Sequence, residues 1–224
     1  MGKCILSCTS LLEFVKAAQA SQGTEWPVFT VDRELHLEPA EMKKAVCALI
    51  DGLDPEYDTV LVSMGFCGGV WHETSFDRTV VIPRVDDCIS LLLHTDDAFH
   101  PNLKEDGHLY LYENDPKDFS ALTLMHNTNS FTQDLDLKNM NKEFLFEMWF
   151  HNYRNMDVID TGLNDCYSEE YAAAAQEQAD QIGADLDYVP GSILLLEKLV
   201  SGRWDHQFIV AKPGRRILHG DFFG

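Results

Sequence analysis

Six cysteines stand at positions 4, 8, 47, 67, 88 and 166 of the chain, and three of them fall where a thiol can do chemistry. Cys8 closes the apolar run Cys4–Cys8. Cys67 sits in Gly65-Phe66-Cys67-Gly68-Gly69, just past the β-rich run Thr59–Met64. Cys88 comes five residues after Pro83, at the start of the helix that follows Val80–Ile82. Strand ends adjacent in a parallel sheet lie about 5 Å apart, so three thiols on three neighbouring loops can converge around one ion. Thiolates suit soft or borderline metals. Zinc closes a tetrahedron with Cys or His and is the expected ion, with iron or an iron–sulfur cluster as the alternative.

The surroundings of these cysteines suggest further roles. Gly68 and Gly69 carry no side chain, so they let a cofactor or ligand approach the backbone beside Cys67. Asp87 precedes Cys88 and is expected to tune or complete the site. Arg84 offers a planar fork for a carboxylate or phosphate of a substrate, or else orients the loop by pairing with Asp87. His72, five residues past Cys67, is a candidate fourth ligand, whereas His94 lies at the wrong end of the Cys88 helix. Each cysteine also has a plain reading, because cysteine is among the most buried residue types. That reading is preferred for Cys4 and for Cys47, which lies within an amphipathic helix. Cys166, in the loop after a later strand, is a minor candidate.

The elements that must position these residues alternate. Cys4–Cys8 reads as a strand, Leu11–Ala20 as a helix, Pro27–Val31 as a strand and Pro39 to Gly52 as a helix. Thr59–Met64 and Thr79–Pro83 read as strands and Val85–Leu93 as helical. Continuously apolar strands separated by helices predict an α/β fold: a mainly parallel, Rossmann-like sheet with helices on both faces. Past residue 100 the pattern predicts a strand over His108–Tyr112, a helix over Lys142–Tyr153 and a strand over Met156–Asp160. A helix over Ser168–Ile182 comes next, then a strand over Asp187–Val189, a helix over Ser192–Leu199 and a last strand over Gln207–Ala211. The stretch between, Asp115–Asn141, has no sustained periodicity. The chain is expected to be one α/β domain over 1–224, with any division into two lobes falling within 100–141.

Composition narrows the classes of function. Among 224 residues, Asp and Glu outnumber Lys and Arg by 37 to 17, giving a formal charge of −20 that should repel phosphate backbones and anionic membranes. No nucleic-acid or membrane partner is therefore expected, and the apolar runs are far shorter than a bilayer span. The opening residues lack the pattern of a secretory signal, so a cytoplasmic location is expected, and widely spaced cysteines there are thiols or ligands rather than a disulfide framework. GxGxxG after a strand, GxxxxGK[ST], GxSxG, HExxH and CxxC pairs are all missing from the sequence, which argues against the corresponding nucleotide, hydrolase, metalloprotease, zinc-ribbon and ferredoxin-type sites. Three readings remain. The first is a metal-dependent enzyme acting on a small molecule, the second a non-catalytic metal chaperone or acidic interaction module, and the third a metal-free enzyme with Cys67 or Cys88 as nucleophile and His72 as base.

Val60–Met64 with Gly65-Phe66-Cys67-Gly68, followed by Val81-Ile82-Pro83-Arg84-Val85-Asp86-Asp87-Cys88-Ile89 and the leucines after it, resembles an uncharacterised prokaryotic family, domain of unknown function 1638. The resemblance extends to Cys8, to the Asp160-Thr161-Gly162 turn, and to Gly202-x-Trp204-Asp205 with Phe208–Val210 and Pro213-Gly214. It covers most of the chain except 100–150, where the glycine-tryptophan stretch common in the family is not found. It implies an α/β protein of anaerobic bacteria and archaea whose relatives neighbour corrinoid-dependent methyltransferase systems. In that setting Cys8, Cys67 and Cys88 act as a unit. Zinc held by their thiolates would activate a thiol for methyl transfer, or a metal site would maintain the cobalt of a corrinoid carried by a partner protein.

Overall fold

The computed structural model describes residues 2–118 and 150–224, which form two compact units. Met1–Leu103 and Gly191–Gly224 make the first, and Lys104–Pro190 the second. The chain thus crosses between units twice, at 103/104 and at 190/191.

The first unit contains a five-stranded sheet of order β2-β1-β3-β4-β8, built from β1 (Gly2–Cys8), β2 (Val28–Val31), β3 (Tyr57–Val62), β4 (Thr79–Pro83) and β8 (Phe208–Ala211). The first four are mutually parallel, and β8 runs antiparallel against β4. Parallel neighbours need a crossover, supplied by α1 (Leu12–Gln22) between β1 and β2 and α2 (Pro39–Asp51) between β2 and β3. Gly23 ends α1 in the left-handed conformation at φ 63°, and Pro39 starts α2 where its missing N–H costs nothing. Cys4 to Cys8 and Val60 to Val62 are buried without interruption, as strands covered on both faces must be. Leu6, Val62, Met64, Trp71 and Ile82 belong to one continuous core with Met42, Val46 and Ile50 of α2.

The helix expected from Val85 begins instead at Cys88, as α3 (Cys88–Leu93). Arg84 N–H donates to the Gln207 carbonyl at 2.8 Å and Asp86 N–H to that of Pro101 at 2.6 Å, which holds the intervening turn out of helical conformation. Asp87 then caps the helix, its Oδ1 accepting from Ser90 N–H at 2.9 Å. α5 (Leu194–Ser201) and α6 (Gly220–Phe223) complete the unit.

The second unit has three parallel strands in order β5-β6-β7: β5 (His108–Leu111), β6 (Asn155–Asp160) and β7 (Asp185–Pro190). α4 (Glu169–Ile182) links the last two, capped by Ser168 and ended by Gly183 at φ 66°. Leu111, Met156 and Val158 pack there against Ala175 and Ala179. Most of the helix expected over 142–153, like most of the aperiodic stretch 115–141, lies outside the described residues. No helix among the described residues is long and apolar enough to cross a membrane.

One glycine fixes how closely two loops approach. A Cβ on Gly65 would stand 2.7 Å from both the Asp87 nitrogen and the Val85 oxygen, backbone atoms that cannot retreat alone. Gly65→Ala is expected to cost about 1–3 kcal/mol, as overpacking does, read as a lower urea midpoint at unchanged slope. An unaltered midpoint would show that the loops are not packed this way.

Candidate functional site

The register of the sheet brings four loops to one edge. β1, β2, β3 and β4 all run the same way, so Val31, Cys8, Val62 and Pro83 end their strands side by side at the carboxyl edge. Beyond it, three chemistry-bearing residues each lie five positions past the end of a strand: His36 after Val31, Cys67 after Val62 and Cys88 after Pro83. Cys8 is itself a strand end. Cys8 is fully buried, Cys67 is 7% exposed and Cys88 is half-buried.

Backbone bonds lock these loops together. Phe66 N–H donates to the Val85 carbonyl at 2.8 Å and Cys67 N–H to that of Asp86 at 2.7 Å, tying the Cys67 loop to the Cys88 loop. On the other side Arg33 N–H donates to Thr9 Oγ1 at 3.1 Å, tying the His36 turn to the residue after Cys8. Cys67 adopts φ 47°, a left-handed conformation that costs a non-glycine residue about 1–2 kcal/mol. Gly68 and Gly69 follow it at φ 70° and 99°, where only glycine is relaxed.

His36 is oriented by its own turn. Its Nδ1 lies 3.0 Å from the Arg33 carbonyl, which can only accept, so Nδ1 carries the proton and Nε2 the lone pair of the neutral ring. That Nε2 is buried with no hydrogen-bond partner, and the Cys8 thiol is the neighbour that most favours the charged ring. Ser10 Oγ also donates to Cys8 Sγ at 3.2 Å. Burial alone would push the Cys8 thiol up, but His36 and Ser10 outweigh it and hold the thiol below its ordinary value of 9.0. Burial would likewise push His36 down, and the Cys8 thiol, with the Arg33 carbonyl and the Asp87 charge, holds it above 6.5. Cys67 behaves oppositely: burial, then Cys88, Asp87 and Cys8 around it, push its thiol far up. Cys8 and His36 therefore shift each other toward their charged forms, beside a Cys67 whose proton burial holds in place.

The other expected residues fall differently. The Arg84 guanidinium donates from Nε to the Asp221 carbonyl at 2.8 Å, from Nη1 to that of His206 at 3.0 Å and from Nη2 to that of Gly224 at 2.6 Å, and it stacks on Phe99. It is committed to backbone rather than held open for an anion. His72 is exposed, and its partners are His219 and Lys43 rather than a cysteine. His94 is buried at the far end of α3, bonded to the Ser90 carbonyl. Cys4 is core, with a thiol that burial pushes up to about 11. Burial also raises Cys47, and Cys166 belongs to the core of the second unit. His36 itself was not anticipated from the sequence, although its place five residues past a strand end is the same signal that marks Cys67 and Cys88. Among the described residues no group of three or more His, Cys, Asp or Glu side chains is placed to hold a metal ion. Their donor chemistry suits a soft metal, but their present positions do not close around one.

The family model described as a protein of unknown function, DUF1638, matches residues 30–200, more than two thirds of the chain. The chain belongs to this family. The DUF1638 match includes His36, Cys67, Asp87 and Cys88 and begins after Cys8. No curated protein and no solved structure matches the chain.

The Cys8–His36 pairing has a titration signature. Followed by thiolate ultraviolet absorbance, one thiol of the reduced protein should ionise below 9.0, and His36→Gln should move that step upward past it. The stability carried by the Cys8 thiolate is present above 9.0 and lost as pH falls through its lowered folded value. That carried by His36 is present below 6.5 and lost as pH rises through its raised folded value. A wild-type titration without an early step would contradict the pairing.

Proposed function

We propose that the carboxyl edge of the five-stranded sheet is a thiolate centre in which Cys8, Cys67 and Cys88, joined by His36, bind one thiophilic metal centre. The observation that carries this reading is the delivery of three thiols and an imidazole with an unpartnered Nε2 by four adjacent parallel strands. A metal-ligating histidine characteristically donates its other ring N–H to a carbonyl, as His36 does to Arg33. Zinc is the proposed ion, with iron or an iron–sulfur cluster as the alternative. When bound, such a centre would supply a Lewis acid that lowers the pKa of whatever it coordinates and so favours its ionised form.

The chain's own groups supply the rest. Cys8 gives up its proton more readily than an ordinary thiol, with His36 and Ser10 easing its ionisation. Cys67 keeps its own until a positive charge arrives, so binding releases protons and strengthens with pH. Asp87 caps α3 and adds negative charge beside Cys67 and His36, which favours a cation there. The side chains must turn toward a common point for ligation, since no described group already stands so. The reaction class we assign is one-carbon transfer, as a methyltransferase or an accessory to a corrinoid protein, and this part rests on the family's association with such systems.

A second reading is favoured by one observation: His36 lies close enough to Cys8 to ease its ionisation, whereas no metal-holding group stands among the described residues. On it, Cys8 is a metal-free nucleophile with His36 as base. Its complete burial restricts it to small electrophiles.

Anaerobically purified protein is expected to carry about one metal centre per chain, a count set by the single cluster of donors. Replacing Cys8, Cys67 and Cys88 together by Ser should abolish it. Elemental and acid-labile sulfide analysis read both. Metal content near zero in the wild type, unmoved by the triple replacement, overturns the reading, and reactivity lost on alkylating Cys8 but indifferent to chelators establishes the second.

A further inference from the structure

We infer that Arg84 is a positioning residue of the thiol centre, through which residues 217–224 hold the Cys67 and Cys88 loops in place. The inference rests on the reading that these two cysteines belong to one site. Arg84 opens the turn that leads to Cys88, and its guanidinium spreads over three carbonyls from two separate stretches of chain, His206 ahead of β8 and Asp221 and Gly224 at the end. Asp221 is itself fixed by Arg215, at 2.7 Å, and by Leu218 N–H, at 2.8 Å, which aims its carbonyl.

The same segment reaches the other loop. Phe66, next to Cys67, packs on Phe222 and Phe223 with ring centroids 5.0 and 5.3 Å away, and Phe222 is fully buried. Ile217 exchanges backbone bonds of 2.8 Å with Glu73 and Thr74, just beyond the Cys67 turn. Cys67 N–H closes the ring by donating to Asp86. Contacts thus run in a circuit from Cys67 through Phe66, α6 and Arg84 to Asp86 and back. A left-handed Cys67 persists only where its surroundings over-determine it, and this circuit does so. Lysine cannot replace the planar fork, because one ammonium neither spans three carbonyls nor stacks on Phe99.

The test uses the full, reduced, metal-free chain with iodoacetamide, following each cysteine by mass spectrometry. Arg84→Lys and, separately, Phe223→Ala should raise the alkylation rates of Cys67 and Cys88 about tenfold through easier local opening, with Cys4 unchanged. Rates unchanged at Cys67 and Cys88 would overturn the inference. A parallel rise at Cys4, which is fully buried in the interior strand β1, would overturn it too, since the effect would then be global unfolding. The assay reads accessibility without metal, so it can fail while metal binding stands, and the reverse.

Discussion

Everything at the candidate site depends on the parallel, in-register pairing of β2, β1, β3 and β4. Strands that run the same way must all release their chains at one edge, and neighbouring releases are separated by only a strand spacing of about 4.8 Å. Sequence positions 8, 36, 67 and 88 become neighbours for that reason alone. An antiparallel arrangement of the same strands would send half of them to the opposite edge, as it does for the end of β8. The helices that make parallel pairing feasible cover the sheet, which is why the strands are buried on both faces and the site opens only at the rim.

Burial then sets the chemistry. Sulfurs packed together away from water oppose one another's ionisation, and Cys67 shows this most strongly. The imidazole beside Cys8, with Ser10, eases the ionisation of that thiol. Such a cluster is poised between two chemistries. The histidine favours ionisation at Cys8, and a thiophilic cation would let Cys67 give up its proton as well. The acidic surroundings of Asp87 lean toward the cation.

Sequence patterns carry most of the first unit, because local periodicity and strand-ending glycines report single elements directly. Val60–Val62 and Leu12–Gln22 are legible in this way, and so is the placement of Cys8, Cys67 and Cys88 near strand ends. The features that are not legible depend on partners distant in sequence. His36 lies in a short 3₁₀ turn, Arg33–Leu37, with no periodicity, and it matters only because β2 pairs with β1. Arg84 reads as an anion fork because its carbonyl partners lie more than a hundred residues later, at 206, 221 and 224. The start of α3 escapes the local pattern because bonds to Gln207 and Pro101, not propensity, delay it. The antiparallel sense of β8 leaves no mark on a four-residue apolar run.

The central claim is that three sulfurs from three strand ends can reach one atom, and trivalent arsenic tests it directly because one arsenite condenses with three thiols, releasing three waters. Arsenite added to the reduced, metal-free protein should form a single adduct that protects Cys8, Cys67 and Cys88 together from alkylation and leaves Cys4, Cys47 and Cys166 as reactive as before. Protection of none of the three, or of a set that includes Cys4 or Cys47, would show that these thiols do not share a site.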